Sequence, residues 1–240
     1  MLKSRFRLLV FDWDGTLLDS MPRIVDCIQA AARDLGFAKP SVEACLDIVG
    51  LSLDNAIARL FPGCDDNAVL DLARAYRAHY QSDNHAPQQL FPHVKETLLT
   101  LRASGYLLAV ATAKGRAGLQ HGLESTGLNV DVFQTTRCAD ETASKPDPLM
   151  LMEIMRELEQ ASESTLMVGD TEYDLAMANR AGTASLAVSY GAHELERLMI
   201  SEPLGYLDCF SELPGWLTSG QASRRKLASN DLLLSKAEYE

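Results

Sequence analysis

Residues 8–16 read Leu-Leu-Val-Phe-Asp-Trp-Asp-Gly-Thr, an apolar run that ends in two carboxylates and a glycine. Ionised Asp12 and Asp14 in that position carry a heavy desolvation cost unless they are paired or hold a metal. Acidic groups this close also repel each other, which calls for a cation between them. Gly15 allows a sharp turn and a close approach of backbone to ligand. The segment reads as a cation-binding carboxylate pair at the carboxyl end of a strand, where open α/β sheets bind their ligands.

Other segments supply partners for this pair. Thr112 ends the apolar run that begins at Tyr106, and Lys145 sits in Ser-Lys-Pro-Asp-Pro. Asp170 and Asp174 follow the run Thr165-Leu-Met-Val-Gly169. If these strands are parallel, one rim collects a hydroxyl, an ammonium and four carboxylates. That excess of negative charge draws in a divalent cation, and oxygen ligands without sulfur or imidazole favour Mg²⁺ over zinc. Thr112 can donate to a phosphate oxygen, Lys145 adds a fixed positive charge, and the amides of Gly15 or Ala113 add further donors. The set suits phosphoryl transfer by positioning and charge neutralisation. Plainer roles stand beside these: Asp174 as a helix cap, Thr112 as a strand-end hydroxyl, Lys145 as a loop lysine. Lys114, Arg116 and His93 fall near the same rim and read as surface charge.

The elements that must position these groups follow from periodicity. A first strand covers about 6–12. From Ser20 to about Tyr80 amphipathic helices follow one another, broken at Gly36-Phe37, Lys39-Pro40, Gly50 and Phe61-Pro62-Gly63. No second strand is expected before 106–112. Thereafter helices at about 93–104, 116–126, 148–160 and 172–181 alternate with strands at 106–112, 132–135, 165–169 and 184–188, and a weaker strand and helix run to about Leu217. This pattern predicts an α/β fold: a doubly wound, Rossmann-like, mostly parallel sheet. Residues 1–16 and 89–218 form its core, 17–88 a helical insertion, and 219–240 a tail with little periodicity.

Composition narrows the function classes. The chain of 240 residues is 47% apolar, and no run reaches the length of a membrane span. The Leu8–Phe11 run is too short for a signal-peptide core, so the cytoplasm is the expected compartment. Cys27, Cys45, Cys64, Cys138 and Cys209 are scattered, as free thiols in a reducing compartment would be. The spacing of His79 and His85 fits no zinc pattern. A net charge of −11 disfavours nucleic acid as a partner, while a small anionic substrate needs only a locally positive pocket.

Asp12-Trp-Asp14-Gly15-Thr16, Thr112, Lys145-Pro-Asp-Pro and Gly169-Asp170 with Asp174 resemble the four ordered motifs of the haloacid dehalogenase-type phosphatase superfamily. The likeness spans residues 6 to about 190. The insertion resembles the helical cap of the phosphoglycolate phosphatase and β-phosphoglucomutase branch. The resemblance implies that Asp12 is the nucleophile forming an aspartyl-phosphate. Asp14 is implied as general acid and then base, and Thr112 and Lys145 as the phosphoryl holders. Asp170 is implied to bind Mg²⁺ with the Asp12 carboxylate and the Asp14 backbone carbonyl, and Asp174 to orient that shell, through Lys145 or a bound water.

Family members that are dehalogenases lack an aspartate where Asp14 stands, and the ion-pumping ATPases carry threonine there. Retention of Asp14 therefore favours a phosphatase or phosphomutase acting on a small phosphorylated metabolite such as phosphoglycolate or a sugar phosphate. A mutase needs a second phosphate site in the cap, for which Arg23 or Arg59 is the candidate. A pyrophosphatase, and a non-catalytic binding protein on the same fold, are the other readings. The turn Gly50-Leu51-Ser52-Leu53 corresponds to the cap loop that faces the site in relatives, which makes Leu51 and Ser52 substrate-binding candidates. The insertion can alternatively serve as a dimer surface, and both monomer and homodimer remain open.

Overall fold

The computed structural model describes residues 4–82, 88–128 and 132–219. The expected tail beyond 219, and His85, lie outside the described residues. The central sheet has six parallel strands: β1 (Leu8–Phe11), β4 (Leu107–Thr112), β5 (Thr135–Cys138), β6 (Thr165–Gly169), β7 (Ala184–Val188) and β8 (Tyr206–Leu207). They lie in the order β5-β4-β1-β6-β7-β8. The order reverses direction at β1, which pairs Leu8 with Leu107 on one side and with Thr165 on the other. A switch point of this kind opens a crevice at the carboxyl ends of the central strands.

Helices cover both faces: α5 (Val94–Ala103), α6 (Arg116–Thr126), α7 (Leu149–Glu157), α8 (Glu172–Ala181), α9 (Leu195–Met199) and α10 (Leu213–Ser219). Along β1 the pleat sends Leu9 and Phe11 into one core and Leu8 and Val10 into the other. All four are fully buried, which is why this strand reads as a continuous apolar run rather than an alternating one.

Between β2 (Leu18–Asp19) and β3 (Gln89–Leu90) the chain forms α1 (Met21–Asp34), α2 (Val42–Asp47), α3 (Leu53–Leu60) and α4 (Asp66–Gln81). The apolar stripe of α1 packs with Cys45, Ile48, Ala56 and Tyr80 in a cluster separate from those of the sheet. Asp65 caps α4 by accepting from the Ala68 amide at 2.8 Å. Among the described residues no helix is long and apolar enough to cross a membrane.

Two sequence expectations change. β2 and β3, which pair antiparallel at Leu18–Leu90, precede the strand at 106 and tie together the two ends of the helical unit. With two residues each, they are too short to show a period. The strand expected at 132–135 lies instead at β5, which starts at Thr135. Val132 and Phe133 are apolar because they plug the core ahead of the strand. β5 is an edge strand whose Arg137 pairs with Glu153 and Glu157 at 2.8 and 2.7 Å, so its residues carry no apolar signal.

Candidate active site

The crevice at the end of β1 brings Asp12, Lys145, Asp170 and Asp174 together, all of them buried. The Lys145 Nζ lies 2.6 Å from Asp12 Oδ1 and 2.7 Å from Asp174 Oδ1. Burial opposes its charge, but Asp12 and then Asp174 outweigh that and hold its pKa above the usual lysine value. The other oxygen of Asp174 accepts from the Thr171 amide at 3.1 Å and the Thr171 hydroxyl at 2.7 Å, completing a capping box at the start of α8. The cap role and the Lys145 role therefore coexist, one on each oxygen.

Asp170 accepts from the Thr16 hydroxyl at 2.7 Å and from the Ala192 amide at 2.8 Å. Gly15 sits at φ +84°, and a Cβ there would fall 2.1 Å from Asp170 Oδ2, so the turn after Asp14 admits no side chain. Burial, followed by the neighbouring Asp174 charge, pushes the Asp170 carboxyl up to about 7. Burial also raises Asp12 well above the carboxylate range; Lys145 pulls it back, while Asp174 and Asp170 push it higher.

Ligand oxygens of Asp12, Asp170 and Asp174 lie within 4.8 Å of one another. Three buried carboxylates against one ammonium leave a deficit of positive charge, and each carboxylate keeps lone pairs beyond its hydrogen bonds. These hard oxygen donors fit a divalent cation of the Mg²⁺ type.

Asp14 faces a different environment. Its Oδ1 accepts from Ser20 Oγ at 2.7 Å, and its Oδ2 pairs with Lys114 Nζ at 3.0 Å. Reading Lys114 as surface charge is thus overturned: its side chain is only 10% exposed, and its ammonium sits 4.3 Å from the centroid of the Tyr80 ring. Burial opposes the Lys114 charge, but Asp14 and the neighbouring tyrosines hold its pKa above the usual value. The loop after β4 turns this lysine inward, a decision that a lone lysine past a strand end does not announce. Thr112 is buried and its Oγ accepts from the Lys114 amide at 3.1 Å, which leaves the hydroxyl proton to donate. Arg116 is engaged with Glu141 and Thr136, and His93 occupies the left-handed position ahead of α5.

Asp12, Asp14, Thr112 and Ala113 open onto a cavity of about 610 Å³. Leu51 and Ser52 line it as well, on the loop between α2 and α3. That loop touches the loop between β5 and α7 through the Ser52 amide, which donates to Ser144 Oγ at 2.9 Å. Gly50, at φ +95°, packs where a Cβ would meet Thr171 Oγ1 at 2.6 Å. Arg197 of α9 links Glu172 of α8 to Asp47 of α2, with 2.6 Å to each carboxylate. Arg23 donates to the Tyr80 carbonyl, and Arg59 pairs with Asp47 at 3.0 Å; neither lines the cavity. Beyond Lys114, the structure adds Thr16, Ser20 and Tyr80 to the site. Thr16 was legible as part of the Asp-x-Asp-Gly-Thr run; Ser20 and Tyr80 carry no local signal.

Residues 9–188 match the family model for haloacid dehalogenase-like hydrolases. A protein named probable phosphatase IndB, from Dickeya dadantii (strain 3937), is 37% identical over 212 residues, 87% of this chain and 92% of that protein. A phosphoglycolate phosphatase of Vibrio vulnificus (strain YJ016) is 31% identical, covering 89% of this chain and 96% of its own length. A solved structure described as a predicted phosphoglycolate phosphatase from Haemophilus somnus 129pt superposes with a TM-score of 0.81 at 26% identity, over 88% of this chain and 98% of that one.

Proposed function

The chain belongs to the haloacid dehalogenase-like hydrolases, and from that premise we propose that it is a Mg²⁺-dependent phosphatase that hydrolyses a small phosphomonoester through an aspartyl-phosphate on Asp12. It is a phosphoric ester hydrolase similar to phosphoglycolate phosphatases. The observation that carries the mechanism is the unequal placement of two carboxylates on one cavity. Asp12 is fixed against Lys145 at 2.6 Å, whereas Asp14 stands free of that cluster on Ser20 and Lys114.

In the first step a carboxylate oxygen of Asp12 bonds to phosphorus while the bond from phosphorus to the leaving oxygen breaks. Asp14 delivers a proton to that oxygen. Thr112 donates to a phosphoryl oxygen, and Lys145 balances the charge that Asp12 presents. In the second step Asp14 takes a proton from water, the water oxygen bonds to phosphorus, and Asp12 is released. Asp12, Asp170 and the backbone carbonyl of Asp14 would hold Mg²⁺, with Asp174 fixing the arrangement through Lys145. When bound, the cation supplies charge neutralisation for the phosphoryl group. The α1–α4 unit acts as a cap that excludes bulk water, held by Arg197 and the Ser52–Ser144 contact. Free thiols at all five cysteines support a reducing compartment, the cytoplasm.

The test is hydrolysis of a simple phosphomonoester by the parent and by Asp12→Asn, with and without Mg²⁺. Turnover should require the metal and vanish in the variant; equal rates in the two proteins would remove the nucleophile assignment.

A further inference from the structure

The phosphoryl step uses only the floor of the cavity. Its roof is built from Ile28, Ile48, Val49, Leu51, Tyr76 and Tyr80 of the α1–α4 unit, and none of these takes part in moving a phosphoryl group. Half-buried Tyr76 stands 5.6 Å, centroid to centroid, from Tyr80, which is buried with Arg23 and Lys114 over its ring; the two planes tilt by 35°. The space is also large. Phosphoglycolate, at the generous share of volume a water takes in the liquid, occupies on the order of 270 Å³. That is less than half of the 610 Å³ present.

Charge on the walls points the same way. Among the described lining residues the side chains of fixed positive charge are Lys114 and Arg77, against Asp14, Asp54 and Asp140 in addition to Asp12. Lys114 is committed to Asp14 at 3.0 Å and to the face of Tyr80. Arg77 stands 3.7 Å from Asp54. Each of these two cations is already shared with a carboxylate, so a carboxylate or a second phosphate on the leaving group would meet walls that stay net negative. Ser52 and His121 supply the polar edges that an uncharged group can use.

We infer that the substrate's leaving group is an uncharged alcohol with an extended apolar or aromatic face, seated against this roof, rather than a short carboxylic acid. The inference rests on the phosphatase reading above and specifies its substrate class. Apolar pockets with a few polar groups bind ligands mainly through such faces. Discrimination then comes from desolvating the ring or hydrocarbon, and from the excess of carboxylates over cations that an acid would face.

The test compares three alkyl phosphates, so that the ring does not activate the leaving oxygen: ethyl phosphate, 2-phenylethyl phosphate and phosphoglycolate, each with Mg²⁺ and the full chain. The kcat/KM for 2-phenylethyl phosphate should exceed that for ethyl phosphate at least tenfold, with phosphoglycolate no better than ethyl phosphate. Leu51→Lys, at a half-buried wall position, adds a cation and should raise the ratio of phosphoglycolate to 2-phenylethyl phosphate turnover at least tenfold. A parent that prefers phosphoglycolate, or treats ethyl and 2-phenylethyl phosphate alike, overturns the inference while leaving the phosphatase reading intact. Failure to hydrolyse any of the three, or hydrolysis that survives Asp12→Asn, overturns the phosphatase reading and this inference with it.

Discussion

Replacing Lys145 with methionine removes the ammonium between Asp12 and Asp174 and keeps an unbranched side chain of similar length. In the parent its Nζ lies 2.6 and 2.7 Å from the two carboxylates, and its side chain has 0% exposure, so solvent does not screen the change. Deleting one partner of a buried ion pair costs about 3–5 kcal/mol, the loss expected for the metal-free protein near pH 8. Protonation limits that loss at lower pH. Burial already holds the Asp12 carboxyl above its ordinary 3.8, and removal of Lys145 raises it further. A carboxyl raised in the folded state contributes stability that is fully present below its unfolded value and is lost as pH rises through the folded one. The deficit of Lys145→Met should therefore be smaller at pH 5 than at pH 8. Urea unfolding followed by circular dichroism in EDTA measures it at both values. The double variant Lys145→Met, Asp174→Asn removes one stranded carboxylate and retains an oxygen to cap α8, so it should recover at least about 1 kcal/mol. A loss below about 1 kcal/mol at pH 8, or a double variant no more stable than the single one, refutes the reasoning.

Three further outcomes follow from the same geometry. Mg²⁺ at a hundred times its dissociation constant should stabilise the parent by about 2.7 kcal/mol, seen as a rise in Tm; Asp170→Asn should abolish the rise, and an equal shift in both proteins would exclude Asp170 from the metal site. Gly15→Ala forces a Cβ to 2.1 Å from Asp170 at φ +84° and should cost about 1–3 kcal/mol together with most activity; parental melting and turnover would show that the turn is not strained by a side chain. Lys114→Met leaves Asp14 without its partner at 3.0 Å and should lower kcat about tenfold, part of what acid–base catalysis supplies, with KM little changed. An unaltered kcat would mean that Asp14 needs no such support.

Much of the core was legible because its signals are local. The strand at 165–169, the helix at 172–181 and the strand at 184–188 lie where their runs and boundaries place them. Buried parallel strands are uniformly apolar, and each is bounded by a turn residue or a cap such as Thr171 with Asp174. Asp12 and Asp170 meet because parallel strands put their carboxyl ends on one rim, and Lys145, in the loop past β5, reaches Asp12 and Asp174 there. The half-buried edge strand β5, built of Thr, Arg and Cys, and the two-residue β2 and β3 leave no hydrophobic period in the sequence.

The sequence by itself determined the kind of chemistry: which carboxylates, hydroxyl and ammonium are present, and their order along a βα-alternating chain. Tertiary structure alone decided how they are arranged. It turned Lys114 inward beneath Tyr80, set one oxygen of Asp174 against Lys145, and placed Tyr76 and Tyr80 of α4 on the cavity that Asp14 lines. Those contacts join residues tens of positions apart. Their energies depend on burial and on distances of a few ångströms, which no local pattern of residues encodes.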